Sequence, residues 1–134
     1  MTREFSYNKK EKLKSKKQLD KIFASGKSFT IFPIKVIYNL VEEQDSIIKT
    51  GVGVSSRFFK KAVHRNRIKR LLREAYRTEK QPLHIYLNNN QKQLNVFLLF
   101  AGRSLPAYSL IKEKMKLCIE RVIKELNEAD IKNT

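Results

Sequence analysis

Residues 62–77, Ala-Val-His-Arg-Asn-Arg-Ile-Lys-Arg-Leu-Leu-Arg-Glu-Ala-Tyr-Arg, carry a helical apolar pattern and a dense cationic pattern at once. At about 100° per residue, Ile68, Leu71, Leu72, Ala75 and Tyr76 stand at i, i+3, i+4, i+7 and i+8 and merge into one stripe. This spacing predicts a helix that lays the stripe on a core. Asn66, Arg70, Arg73 and Arg77 fall roughly opposite, while Arg65 and Lys69 flank one edge of the stripe and Arg67 the other.

A solvated helix face is the ordinary explanation of surface charge, but such a face mixes signs. Between positions 57 and 77 the nine cations Arg57, Lys60, Lys61, Arg65, Arg67, Lys69, Arg70, Arg73 and Arg77 meet the single acid Glu74. Near the start of the predicted helix the macrodipole favours acids, so Arg65, Arg67 and Lys69 oppose helix stability there by roughly a few tenths of a kcal/mol each. Guanidinium groups offer planar paired donors, and Asn66 adds a donor and an acceptor, a set suited to phosphates, riboses and base edges. The pattern points to RNA or DNA binding by this helix.

The full chain of 134 residues has 29 basic and 13 acidic side chains, a net charge of +16 and a pI near 10.1, so a polyanion is its natural partner. That length predicts one domain over 1–134, with residues 1–12 a flexible basic arm and 128–134 a frayed tail. The longest apolar run, residues 96–101, is far short of the roughly 20 residues a membrane span needs. No apolar segment follows the basic N-terminus, and the lone Cys118 has no intrachain partner, so a cytoplasmic protein without a membrane partner is expected.

In chain order, Leu19, Ile22 and Phe23 mark a short helix with Ser15 as N-cap and Gly26 as its stop. Lys14, Lys17 and Lys21 lie on its other face. Period-two alternation through Phe32, Ile34, Val36, Tyr38 and Leu40 predicts a strand over 29–40, with Pro33 demanding an edge or a late start. A second alternating run over 47–55 is expected to pair with it as an antiparallel hairpin across the acidic turn Glu42, Glu43 and Asp45. Gly51 and Gly53 share the opposite face of that run and leave room for a close approach. Phe58 and Phe59 are expected to dock the connection into the cationic helix, and residues 78–93 read as irregular, with a loose helical piece at 83–87. Residues 94–101 are apolar on both faces, the mark of a covered central strand. Ile111, Met115, Cys118, Ile119, Val122 and Leu126 define the core stripe of a last helix. The expectation is an α+β fold, a single-domain α/β sandwich in the order αββαβα.

Catalytic groups are not assembled in this sequence. A protein nuclease uses clustered carboxylates for metal ions or histidines as acid and base. Glu42, Glu43 and Asp45 belong to a turn, His64 and His84 lie in separate segments, and no phosphate loop, zinc spacing or nucleophile motif is present. No catalytic residue and no metal ligand is assigned.

From about residue 12 to residue 126 the chain resembles the protein subunit of bacterial ribonuclease P. The run Arg65-Asn66-Arg67-Ile68-Lys69-Arg70-Leu71-Leu72-Arg73-Glu74 is similar to the family's Arg-Asn-Arg signature helix at nearly every position. Leu13-Lys14, Ile22-Phe23, Gly26, Gly51-Val52-Gly53-Val54-Ser55 and Lys60-Lys61-Ala62 match in order and spacing. The resemblance implies a left-handed βαβ crossover around a parallel strand pair. It implies that a catalytic RNA with bound magnesium performs the hydrolysis, while the protein holds the 5′ leader of precursor tRNA and supports the RNA.

Carried onto this chain, the resemblance assigns Arg65, Asn66, Arg67, Lys69, Arg70 and Arg73 to the catalytic-RNA face, and Arg57, Lys60 and Lys61 to the basic run before it. Phe23 and Tyr38 match aromatic positions bordering a leader-binding cleft, which Leu19 and Val36 are expected to line with them. Leu19 stands where the family usually has Phe, and Ser56 where it usually has Lys. The alternative is a ribosome-associated or other structured-RNA binder with no part in cleavage.

Overall fold

A computed structural model of the chain, which describes residues 12, 13, 16–42, 44 and 46–132, has eight elements. They are α1 (Lys16–Ser25), β1 (Lys27–Ile31), β2 (Ile34–Val41), β3 (Ile48–Val54), α2 (Ala62–Glu79), α3 (Gln81–Asn89), β4 (Gln93–Phe100) and α4 (Tyr108–Lys132). The α+β class holds; the order is αβββααβα instead of αββαβα. The strand expected over 29–40 is two strands, because Pro33 has no N–H for the ladder and the chain reverses at Phe32 and Pro33 so that Ile31 pairs with Ile34. Residues 81–89, read as irregular apart from a loose helical piece, form α3, whose Leu83 and Leu87 are buried one turn apart. The N-cap expected at Ser15 and residues 1–11 of the arm expected over 1–12 fall outside the described residues.

The four strands lie in the order β1-β2-β4-β3. The expected hairpin of β2 with β3 does not form. The strand apolar on both faces, β4, separates them, antiparallel to β2 and parallel to β3. Gln44 shows how the connection crosses the start of β4. Its backbone N–H donates to Gln93 Oε1 at 2.8 Å, its Nε2 to the Leu94 carbonyl at 3.3 Å, and Gln93 Nε2 returns a bond to the Gln44 carbonyl at 3.2 Å. The parallel pair implied by the resemblance is therefore β3 with β4, connected through α2 and α3.

The sheet separates two apolar clusters. On one face Ile34, Val36, Tyr38, Leu94, Val96, Leu98 and Phe100 pack with Ile68, Leu72, Ala75 and Tyr76 of α2 and with the expected stripe of α4. Ile37 and Phe97, of opposite phase on the same strands, pack with Leu13, Leu19 and Ile22 on the other face. Gly26 ends α1 through its N–H to the Ile22 carbonyl at 2.8 Å, and its φ is not positive. What the position needs is space, since a Cβ there would meet the Ile22 carbonyl oxygen at 2.4 Å. Residues 128–132, expected in a frayed tail, continue α4, with Asp130 accepting bonds from Tyr86 Oη and Lys92 Nζ.

Candidate RNA interface

The apolar stripe of α2 is buried as its spacing requires, with Ile68, Leu72, Ala75 and Tyr76 inaccessible and Leu71 half-buried. That burial fixes the rotation of the helix and turns its cations outward. Asn66, Arg67, Arg70 and Arg73 are exposed, Lys69 is half-buried at the edge, and Arg57, Lys60 and Lys61 are exposed on the preceding connection. Glu74, the one acid between residues 57 and 77, is occupied by Arg77, whose Nη2 donates to it at 2.5 Å and, chiefly through that bond, holds its carboxyl below the usual range. At the start of α2 no acid lies in the first turn, and Lys61, the N-cap residue, makes no side-chain capping bond. The cationic field meets almost no internal compensation.

Arg65 differs from its neighbours. Its Nη1 donates to the carbonyls of Phe59 at 2.7 Å and Lys60 at 2.8 Å. The side chain thereby ties the connection to the first turn of α2, and the pattern reading, which set Arg65 at one edge of the stripe among the RNA-facing cations, missed this second role. The signal lies in backbone carbonyls, which side-chain periodicity does not register.

The four residues expected to line one cleft do not meet. Val36 is fully buried and Tyr38 is 2% exposed, both on the face covered by α4, where Tyr38 Oη donates to Glu125 Oε1 at 2.5 Å. Phe23, 54% exposed, and Leu19 lie on the opposite face with α1. Successive strand residues point to opposite faces, so the residue of β2 that faces α1 is Ile37.

On the α1 face the aromatic partner of Phe23 is Phe97 of β4, edge-on with centroids 5.1 Å apart. The residue was missing from the expected set because residues 94–101 are apolar in both phases. Phe97 occupies the space left by the glycines of β3; a Cβ would meet its ring at 3.0 Å from Gly51 and at 2.6 Å from Gly53. Beside it runs a cavity of ≈ 320 Å³ lined by Lys12, Leu13, Leu19, Thr50, Gly51, Val52, Arg73 and Phe97. Arg73 belongs also to the outward row Asn66, Arg70, Arg73 of α2, so the groove and the cationic face meet at that residue.

Among the described residues no group of three or more His, Cys, Asp or Glu is placed to hold a metal ion. No helix among them is long and apolar enough to cross a membrane.

A family model described as Ribonuclease P matches residues 7–122. The ribonuclease P protein component of Porphyromonas gingivalis is 30% identical over 130 residues, covering 96% of this chain and 95% of its own. That of Chlorobium phaeobacteroides is 29% identical over 87% of this chain and 88% of its own. The fold agrees with two solved structures. The ribonuclease P protein of Thermotoga maritima superposes with a TM-score of 0.61 at 22% identity over 83% of this chain and 96% of its own. That of Staphylococcus aureus gives 0.55 at 20% identity over 87% and 94%. With a signature helix whose cations face outward and a family match spanning nearly its whole length, the chain belongs to the bacterial ribonuclease P protein family.

Proposed function

We propose that the chain assists a catalytic RNA in removing the 5′ leader from precursor tRNA, with the outward face of α2 on the RNA and the leader in the groove beside Phe97. The observation that carries this reading is the junction at Arg73, where the outward row of α2 runs into a mixed polar and apolar groove walled by Leu13, Leu19, Val52 and the Phe97 ring. Arg67, Arg70 and the lysines at 60 and 61 supply charge-assisted bonds to phosphates of the catalytic RNA. Phe23 and Phe97 offer rings to unpaired leader bases, and Lys12 and Arg73 lie at the groove to meet the leader backbone. Leu19 contributes apolar contact there, whereas Val36 and Tyr38 hold the sheet to α4.

In this reading hydrolysis belongs to the RNA, with magnesium held mainly there, and the protein acts in the cytoplasm by positioning substrate and screening phosphate repulsion. The decisive experiment is precursor-tRNA cleavage by the protein alone, by its cognate RNA alone, and by both at low magnesium. Cleavage is expected only from the combination. Activity of RNA-free protein would overturn the assignment.

A further inference from the structure

We propose that Arg57, Phe58 and Arg103 form one phosphodiester-binding element for the catalytic RNA, an extension of the cationic surface onto the connection between β4 and α4. The inference rests on the RNA-binding reading above and adds two residues, Phe58 and Arg103, to it. Parallel pairing brings them together: Val54 and Phe100 are in register at the ends of β3 and β4, so residues 55–61 and 101–107 leave the sheet at the same end. Phe59 anchors the first connection, 5% exposed and 5.8 Å from the Phe100 ring. Gly102 lets the second pass close to the same ring, since a Cβ there would lie 2.6 Å from it.

Phe58, unlike Phe59, stays 40% exposed, and two guanidiniums lie over it, Arg57 at 5.3 Å and Arg103 at 5.0 Å from the ring centroid. Both arginines are exposed, and among the described residues no ion pair joins either to a carboxylate. Two like charges gathered on one ring repel each other, and the negative face of the ring offsets only part of that repulsion. A phosphate diester completes the arrangement, because its oxygens accept from both guanidinium forks. Phe58 is a positioning residue, which restricts both side chains before the RNA arrives and reduces the ordering lost on binding. Lys60 and Lys61, exposed on the same connection, continue the surface to α2.

The test measures affinity of the full chain for its cognate ribonuclease P RNA across a salt series. A ten-nucleotide single-stranded leader serves as a separate probe, and Arg67→Gln with Arg70→Gln serves as the reference variant. Arg103→Gln is expected to weaken RNA binding about five- to tenfold and to make the salt slope shallower by about 1, with leader binding unchanged. Phe58→Leu, which keeps every charge, should weaken RNA binding about threefold, and Phe58→Tyr should restore it. Wild-type affinity and slope in Arg103→Gln, alongside weakened binding in the α2 variant, would overturn this element while leaving the α2 reading in place. No change in any variant would overturn both. Weakened leader binding with unchanged RNA binding would overturn the assignment to the catalytic RNA.

Discussion

Tyr38 of β2 donates its phenolic hydrogen to Glu125 Oε1 of α4 at 2.5 Å, across 87 positions of sequence, and Arg121 Nε donates to the other carboxylate oxygen at 2.7 Å. The Arg121 guanidinium also lies 5.0 Å from the Phe29 ring centroid, so β1, β2 and α4 are joined through one polar chain at the sheet edge. Tyr38 is therefore a fastening between layers. Tyr38→Phe should lower stability by about 1 to 1.5 kcal/mol in denaturant unfolding. The ratio of holoenzyme affinities for precursor and mature tRNA should not change. A selective loss of precursor binding would return Tyr38 to the leader site.

The same contact makes an alkaline prediction. Burial first, then the hydrogen bond and charge of Glu125, raise the Tyr38 pKa well above its ordinary value near 10.0. A group whose folded pKa is raised contributes fully below its unfolded pKa and loses that contribution as pH rises beyond it. The stability gap between wild type and Tyr38→Phe should thus be constant below pH of about 10 and shrink above it. A gap independent of pH up to the onset of unfolding would show that the phenol is not held protonated.

Arg65 and Arg67 flank the same stripe of α2 but should not respond alike. Arg65 holds two carbonyls of the preceding connection, and Arg67 is exposed. Arg65→Ala is expected to cost about 1 to 2 kcal/mol of stability and to loosen the approach to the helix, whereas Arg67→Ala should leave the melting temperature unchanged. Both should weaken RNA binding, with Arg67→Ala making the salt slope shallower by about 1. Equal melting temperatures for the two variants would remove the structural role assigned to Arg65.

Cys118 provides a clean probe of opening. It is 1% exposed in the stripe of α4, and burial pushes its thiol up to about 12. At pH 8 it should react with a thiol reagent only at the rate of unfolding, and stoichiometrically in denaturant. Rapid labelling of the native chain would mean that α4 separates from the sheet.

How legible these features were in sequence depended on whether a pattern carried a phase. The stripe of α2 fixed both the buried and the outward residues, because a helix with one apolar side has one orientation. Alternation in β2 correctly grouped Val36 with Tyr38 but could not tell which of two covered faces they met, since Ile37 is apolar too. For β4, apolar in both phases, the central position was readable and the role of Phe97 was not. The separation of β2 from β3 depended on Gln44 and Gln93, polar residues whose partners lie 49 positions away.

The groove yields the most discriminating prediction, because Phe23 and Phe97 form an edge-on pair at 5.1 Å while Phe23 remains 54% exposed. An engaged leader base would stack on this pair for about 1 to 3 kcal/mol. Phe23→Ala should therefore weaken holoenzyme binding of precursor tRNA carrying several leader nucleotides and leave mature tRNA nearly unaffected. Gly53→Ala tests the same ring from beneath, since its new Cβ would lie 2.6 Å from Phe97 and force the ring toward the groove. It should produce the same selective loss without removing any aromatic group. Leu19→Phe, which adds a ring at the groove wall, should leave leader affinity equal or higher. If Phe23→Ala and Gly53→Ala both retain the wild-type ratio of precursor to mature affinity, the leader does not run beside Phe97, and the groove serves only to pack α1 on the sheet.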